Sequence, residues 1–361
     1  MTDGLKLTVY HGEHERAGSE LLCDALNRIY ERHALPTAIL LRGVEGFGLR
    51  HTLHTQRLLT LSEDLPVVSI AVGARDAIEE LLPEVSELVG KGLVTVERAQ
   101  LLTRDLGAPE LDEHLHEETK LTVYCGRAER AGRAPAYRAV VELLHRHGVS
   151  GATAFLGLDG LVHGRRERAR FFSRNDDVPL MVVSVGDGRT LAKLLPEIAE
   201  MLEEPVATLE RVTVCKRDGA RLWQPPPVTP AAGEGPAVWE KVMVYAGEQA
   251  RHEGHPLYVQ LVRRLREAGA AGATSLRGIW GYSGDHAPRG DRFLSVQRQV
   301  PVATIVIDTP ERMARWWPIV DELTDEAGLV TAELVPAFRA TGPAGSLGGL
   351  RPAGGWRLDV K

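Results

Sequence analysis

The chain has 361 residues, 43% hydrophobic and 25% charged, which is ordinary globular composition and long enough for two or three domains rather than one small stapled scaffold. Its 43 Lys and Arg against 49 Asp and Glu give a formal charge of -6, so no overall basic field exists to hold nucleic acid or an anionic membrane. Cys23, Cys125 and Cys215 share no CxxC spacing, and neither a signal-like core nor a spanning apolar run occurs, so we expect reduced thiols, a cytoplasmic protein and no membrane insertion.

In chain order, a first strand is expected at Lys6–Tyr10, followed by an amphipathic helix and a second strand that runs into the glycines of Arg42-Gly43-Val-Glu-Gly46-Phe-Gly48. A long polar loop leads to a third strand, Pro66–Val72, which begins at proline because proline has no N–H to give an interior ladder position. A second helix is amphipathic through Ile78, Leu81, Leu82, Val85 and Leu88, and the turn Gly90-Lys91-Gly92 precedes a last strand, Leu93–Glu97. The same order then recurs twice. Tyr10, Tyr124 and Tyr245 mark the first strands, and Leu257, Leu261 and Leu265 give the third copy's first helix its apolar stripe. Gly148 and Gly269 stop the first helices where a left-handed residue is wanted, and Thr309-Pro310-Glu311 supplies an N-cap with Pro at the first helical position. The later last strands are expected at Val206–Arg211 and Leu329–Val335.

The copies span residues 4–103, 118–216 and 239–339, with an acidic linker at 104–117, a proline-rich linker at 217–238 and a flexible tail at 340–361. Each reads βαββαβ, which predicts an α+β, ferredoxin-like sandwich: a four-stranded antiparallel sheet with both helices on one face. The third strands are apolar on both faces (Val67, Val68, Ile70; Met181, Val182, Val183; Ile305, Val306, Ile307), so the other face of each sheet should also pack on protein.

The stretches Gly-His-Pro256-Leu-Tyr258, Ala-Gly-Ala-Thr274-Ser-Leu-Arg277-Gly278, Arg42 to Gly48, and His54-Thr-x-Arg57 followed by Leu61-Ser-Glu-Asp-Leu-Pro66 resemble the PII-like family catalogued as domain of unknown function 190. That family is similar in fold to the PII signalling proteins and CutA, which are trimers of ferredoxin-like subunits. The resemblance implies three tandem PII-like domains closed into an intramolecular pseudo-trimer, a monomer or a dimer of such particles. It also implies a small anionic ligand, commonly an adenine nucleotide, in a cleft between units, and a T-loop between strands two and three that signals to a protein partner such as a transporter or channel. No resident cofactor is implied. Carried over by position, the ligand-binding residues are Arg42, Gly43, Gly46, His54, Arg57, Gly90, Lys91 and Gly92 of the first copy, with Arg170, Arg277 and Arg292 as secondary candidates. The loops equivalent to Gly90-Lys91-Gly92 read Glu203-Glu204-Pro205 and Asp325-Glu326-Ala327-Gly328, which repel phosphate, so one competent anion site per chain is expected, beside the first copy's loop.

Arg57, Arg170 and Arg292 fall in register, and a guanidinium grips phosphate or carboxylate with two hydrogen bonds; an inter-unit ion pair is the competing reading. The histidines of the first copy (His11, His14, His33, His51, His54) lack an HExxH helix or thiolate partners, so no metal site is expected. No nucleophile is placed beside a base, which favours a binding module over an enzyme. A ligand-free scaffold is the first alternative and an enzyme on the same fold the second.

Overall fold

A computed structural model describes residues 2–48, 54–55, 65–103, 118–169, 178–223, 237–284, 286–290, 300–326, 328–342 and 345–346. Among these the protein is mixed α+β, with six helices and one large antiparallel sheet that runs through three repeats. Repeat 1 comprises β1 (Thr2–Gly12), α1 (Leu22–Arg32), β2 (Thr37–Arg42), β3 (Glu45–Phe47), β4 (Pro66–Ala74), α2 (Arg75–Leu88) and β5 (Gly92–Thr103). Repeat 2 comprises β6 (Glu118–Gly126), α3 (Ala136–Arg146), β7 (Gly151–Leu156), the hairpin β8 (Asp159–Val162) and β9 (Arg165–Arg168), β10 (Pro179–Asp187), α4 (Gly188–Glu200), β11 (Val206–Arg211) and β12 (Thr213–Arg217). Repeat 3 comprises β13 (Ala237–Gly247), α5 (Leu257–Glu267), β14 (Ala273–Arg277), β15 (Trp280–Ser283), β16 (Pro301–Asp308), α6 (Pro310–Leu323) and β17 (Leu329–Gly342).

The strand pairing within each repeat is the same. In repeat 1, β1 lies between β4 and β5, and β2 pairs with β4. In repeat 2, β6 lies between β10 and β11 with β7 on β10, and in repeat 3, β13 lies between β16 and β17 with β14 on β16. Alternation along a strand then divides its side chains between two cores. Leu5, Leu7 and Val9 of β1 face the helices, where they meet Leu26 and Ile29 of α1 and Leu81 and Val85 of α2. Equivalent helix-side cores form under α3 and α4 and under α5 and α6. The opposite sheet faces share one further core, in which Ile70 and Val72, Met181 and Val183, and Ile305 and Ile307 meet. The two-sided apolar pattern of the third strands is therefore met with protein on both sides.

The seams between repeats are strand pairings, and they close on themselves. β8 pairs with β2 (Gly160 opposite Ile39), β15 with β7 (Tyr282 opposite Ala152), and β3 with β14 (Gly46 opposite Thr274). A second set joins the long last strands: β5 with β11, β12 with the start of β17, and the far end of β17 with β5. Each repeat thus contacts both others.

These seams explain where the elements depart from expectation. The last strands of repeats 1 and 3 extend to Thr103 and Gly342, beyond the expected Glu97 and Val335, because their ends pair with a neighbouring repeat in addition to their own first strand. β17 also takes in residues 340–342 of the segment read as a tail. At the segment read as a linker from 217, a hairpin pairs Lys216–Arg217 with Ala220–Arg221, and β13 starts at Ala237; residues 104–117 and 224–236 lie outside the described residues. Gly148 and Gly269 have φ of 69° and 81°, as helix stops require, while Ala34 takes the equivalent place in repeat 1 at 49°. Thr309 is the N-cap before Pro310, but its side chain makes no capping hydrogen bond.

Candidate functional site

On the shared face, Lys6, Lys120 and Lys241 of the first strands stand beside Glu97, Glu210 and Glu333 of the last strands. They form a closed ring of alternating charge. Lys6 bridges Glu97 (2.5 Å) and Glu210; Lys120 bridges Glu210 (3.0 Å) and Glu333 (2.5 Å); Lys241 bridges Glu333 (3.1 Å) and Glu97 (2.7 Å). Each lysine therefore joins the glutamate of its own repeat to that of the next. No side chain in the ring is more than 8% exposed. Burial opposes charge on Glu97, but the ammonium groups of Lys241, Lys6 and Lys120 outweigh it and hold the carboxyl well below its ordinary range. Burial likewise opposes charge on Lys120, and Glu210, Glu333 and Glu97 outweigh it; at Lys241 burial wins and its affinity for a proton falls. Carboxylate oxygens of the three glutamates lie within 4.8 Å of one another, a spacing that suits a cation, and the three ammonium groups already supply that charge. Four residues further along each first strand, Tyr10, Tyr124 and Tyr245 have their hydroxyl pKa raised by burial.

The junction of repeats 2 and 3 opens into a shallow cleft. Repeat 2 lines it with Ser150 to Thr153, Val183 to Val185, Arg217 and Asp218, and repeat 3 with Tyr245, Ala246, Tyr282 to Gly284, Pro301, Gly328 and Leu329. Arg217 comes from the end of β12, where the main chain turns with Asp218 at φ 47° and Asp218 N–H donates to the carbonyl of Gly328 (2.8 Å). Its Nη2 donates to Glu118 (3.0 Å), and its buried Nε–H has no hydrogen-bond partner among the described residues. Tyr282 OH donates across the seam to the carbonyl of Val149 (2.8 Å), which fixes one wall. Gly328 has φ of 105°, and a Cβ there would stand 2.8 Å from the carbonyl oxygen of Tyr245, so the floor of the cleft demands glycine. An arginine, several hydroxyls and two tyrosine rings suit a small anionic ligand with an apolar part.

The residues expected from sequence to bind a ligand are placed as follows. Arg42 donates to Glu13 (3.0 and 2.8 Å), and Arg277 makes the corresponding pair with Glu248 (2.8 Å) in repeat 3. Gly43 N–H donates to the carbonyl of Pro66 in its own repeat; a Cβ on Gly43 would stand 3.0 Å from Thr274 Cγ2 and one on Gly46 2.6 Å from the carbonyl oxygen of Ala273, so both glycines serve the β3–β14 seam. The backbone of His54, in the two-residue strand His54–Thr55, pairs with Gly46. Lys91, 53% exposed, has Nζ 3.9 Å from Glu15. Gly90 and Gly92 flank it, and Gly92 passes so close to Tyr10 that a Cβ would lie 2.3 Å from its carbonyl oxygen. Arg57, Arg170 and Arg292 lie outside the described residues. The structure thus brings Arg42, Gly43 and Gly46 together at one seam, with Arg42 and Lys91 each facing an acid of the Glu13 to Glu15 segment. Sequence reasoning missed Arg217 and the charge ring. The ring did leave a trace: lysine recurs at the same place in the three first strands, four residues before each repeat's tyrosine.

A model of the family DUF190, described as Uncharacterized ACR, matches the chain three times, at residues 4–101, 118–214 and 239–337. Two UPF0166 proteins of Aquifex aeolicus (strain VF5) are similar to it: one is 31% identical over 91 residues, 25% of this chain and 84% of the relative, and the other 32% identical over 82 residues, 23% and 84%. A solved structure, that of aspartate kinase from Synechocystis, aligns with 92% of this chain and 43% of the kinase chain at 12% identity, with a TM-score of 0.25, too low to bear on fold or function.

Proposed function

Because the chain belongs to the DUF190 family and carries three copies of its domain, we propose that it is a non-catalytic regulatory protein that binds one small anionic metabolite or nucleotide in the cleft between repeats 2 and 3. Each repeat in this reading is a ferredoxin-like unit, and the three form a pseudo-trimer within one chain; the cyclic seams and the ring of charge favour this closure over beads on linkers. The observation that carries the ligand assignment is Arg217, which reaches the cleft with a buried N–H still to be satisfied. The cleft spans two repeats, so a ligand there changes how they pack, and Ser283 and Gly284, which line it, stand at the end of β15, in the stretch between strands two and three of repeat 3 that the PII-like resemblance identifies as a signalling element. Among the described residues no helix is long and apolar enough to cross a membrane.

The test is a thermal-shift and calorimetric screen of ATP, ADP, AMP and inorganic phosphate against the full chain. A ligand at about 100 times its dissociation constant stabilises by about 2.7 kcal/mol, and the reading expects a stoichiometry near one and loss of the response in Arg217→Ala. A stoichiometry of three, or binding indifferent to Arg217, refutes this placement, and the absence of any response favours a ligand-free scaffold.

A further inference from the structure

We propose that repeat 2 contains a carboxylate-binding site, distinct from the cleft above, and that its own Glu129 occupies it. The Glu129 side chain is only 6% exposed. One of its oxygens, Oε1, accepts from Gly126 N–H (2.6 Å) and bonds His163 Nε2 (3.1 Å), and the other, Oε2, accepts from Glu203 N–H (3.2 Å). Two main-chain amides and an imidazole thus converge on the two oxygens of one planar group, and fixed amide dipoles of this kind hold anions well. The donors come from three separate places: the end of β6, the loop before β11 and the tip of the β8–β9 hairpin.

The arrangement is held from both sides of the hairpin tip. His163 and Gly164 have φ of 51° and 73°, the turn that a two-residue hairpin between Val162 and Arg165 requires, and that turn fixes the imidazole against Glu129. The next residue, Gly164, donates its N–H to the carbonyl of Pro36 in repeat 1 (3.0 Å), so the same hairpin tip is tied to Glu129 on one side and to the neighbouring repeat on the other. Burial opposes charge on Glu129, yet the bonds from His163, Gly126 and Glu203 hold its carboxyl below the ordinary range, and the bond to Glu129 pushes the imidazole of His163 up. The corresponding position can be followed through the other repeats. Glu15, Glu129 and Ala250 occupy equivalent positions, each giving its N–H to a glycine carbonyl and accepting from the first residue of the following helix. Repeat 1 keeps the acid, with Lys91 near it, and repeat 3 replaces it with alanine.

Glu129 is then a ligand supplied in cis that latches the hairpin to the repeat, and a carboxylate from outside must displace it. Glu129→Ala in the full chain opens the site to test, with sodium formate as the probe and sodium chloride at equal ionic strength as the reference. We expect the variant to melt below the wild type in chloride and to recover saturably with formate, the wild type to show no saturable response, and Glu129→Ala with His163→Ala to bind formate about tenfold more weakly, as loss of one charge-assisted hydrogen bond requires. No saturable recovery, recovery unaffected by His163→Ala, or equal recovery with inorganic phosphate overturns the proposal. Should Glu129→Ala fail to fold, Glu129→Gln keeps the shape and one acceptor oxygen. Amide exchange at His163 and Gly164 should then quicken by about tenfold while the interior of β6 is unchanged, and unaltered exchange at the hairpin tip overturns the latch.

Discussion

Replacing Lys120 by Met keeps an unbranched stem of similar length and removes the one ammonium that lies 2.5 Å from Glu333, 3.0 Å from Glu210 and 3.7 Å from Glu97. Two ammonium groups then face three carboxylates whose oxygens lie within 4.8 Å of one another, leaving one buried charge without compensation. Removing one partner of a buried ion pair costs about 3–5 kcal/mol, whereas removing both is often close to neutral. We therefore expect Lys120→Met to lose about 3–5 kcal/mol at pH 8, and Lys120→Met with Glu333→Gln, which restores charge balance, to recover most of it. The loss should shrink as pH falls. Without Lys120 one of the crowded carboxyls has a native pKa above its unfolded value, so the native state binds the extra proton at pH 5 and the penalty grows as pH rises toward 8. Urea unfolding followed by circular dichroism and by tryptophan fluorescence at both pH values measures this, with coincident transitions as the check that the three repeats unfold as one unit. A loss below about 1 kcal/mol at pH 8, the range of an exposed pair, or a larger loss at pH 5 than at pH 8, refutes the view that the ring is a closed and fully buried network.

Gly46→Ala should destabilise by about 1–3 kcal/mol in a thermal melt, because its Cβ would meet the carbonyl oxygen of Ala273 at 2.6 Å, and it should leave ligand affinity at the repeat 2–3 cleft unchanged. Arg166→Ala removes the main partner of Asp159, which is 2% exposed, and leaves Asp24 across the seam with Arg168 alone; a loss of about 2–3 kcal/mol is expected in urea unfolding, with faster amide exchange in β8 than in β6. Glu240 is buried, and burial pushes its pKa from 4.5 up to about 7. The native state thus holds a proton that the unfolded chain has released between pH 4.5 and 7, and stability falls as pH rises through that window. Glu240→Gln should flatten that slope and stabilise at pH 8 by roughly 2–3 kcal/mol, as read from denaturant midpoints across the pH range.

Much of the fold could be read from local chemistry. Gly148 and Gly269 ended their helices where expected because a left-handed backbone is a local demand that glycine meets most easily. Pro66, Pro179 and Pro301 opened their strands because a missing N–H is also a local fact. The candidate site was less legible. Arg42 and Arg277 have the chemistry of anion binders, but Glu13 and Glu248, far from them in sequence, engage them in the fold. Gly46 resembles a loop glycine until the approach of Ala273 from another repeat is seen. Arg217 drew no notice because the turn that carries it to the cleft is built against Gly328, more than a hundred residues away.

The sequence alone determined the unit and its number, since periodicity, turn residues and the threefold recurrence of Tyr10, Tyr124 and Tyr245 act over a few residues or repeat at long intervals in plain view. Only the tertiary structure decided how the units close, because strand edges carry no partner label and the long last strands could have paired with any neighbour. The reason that closure is specific lies in burial. Lys6, Lys120 and Lys241 are ordinary surface residues by composition, and become a matched ring only where each must share its charge between its own repeat's glutamate and the next one's, away from water.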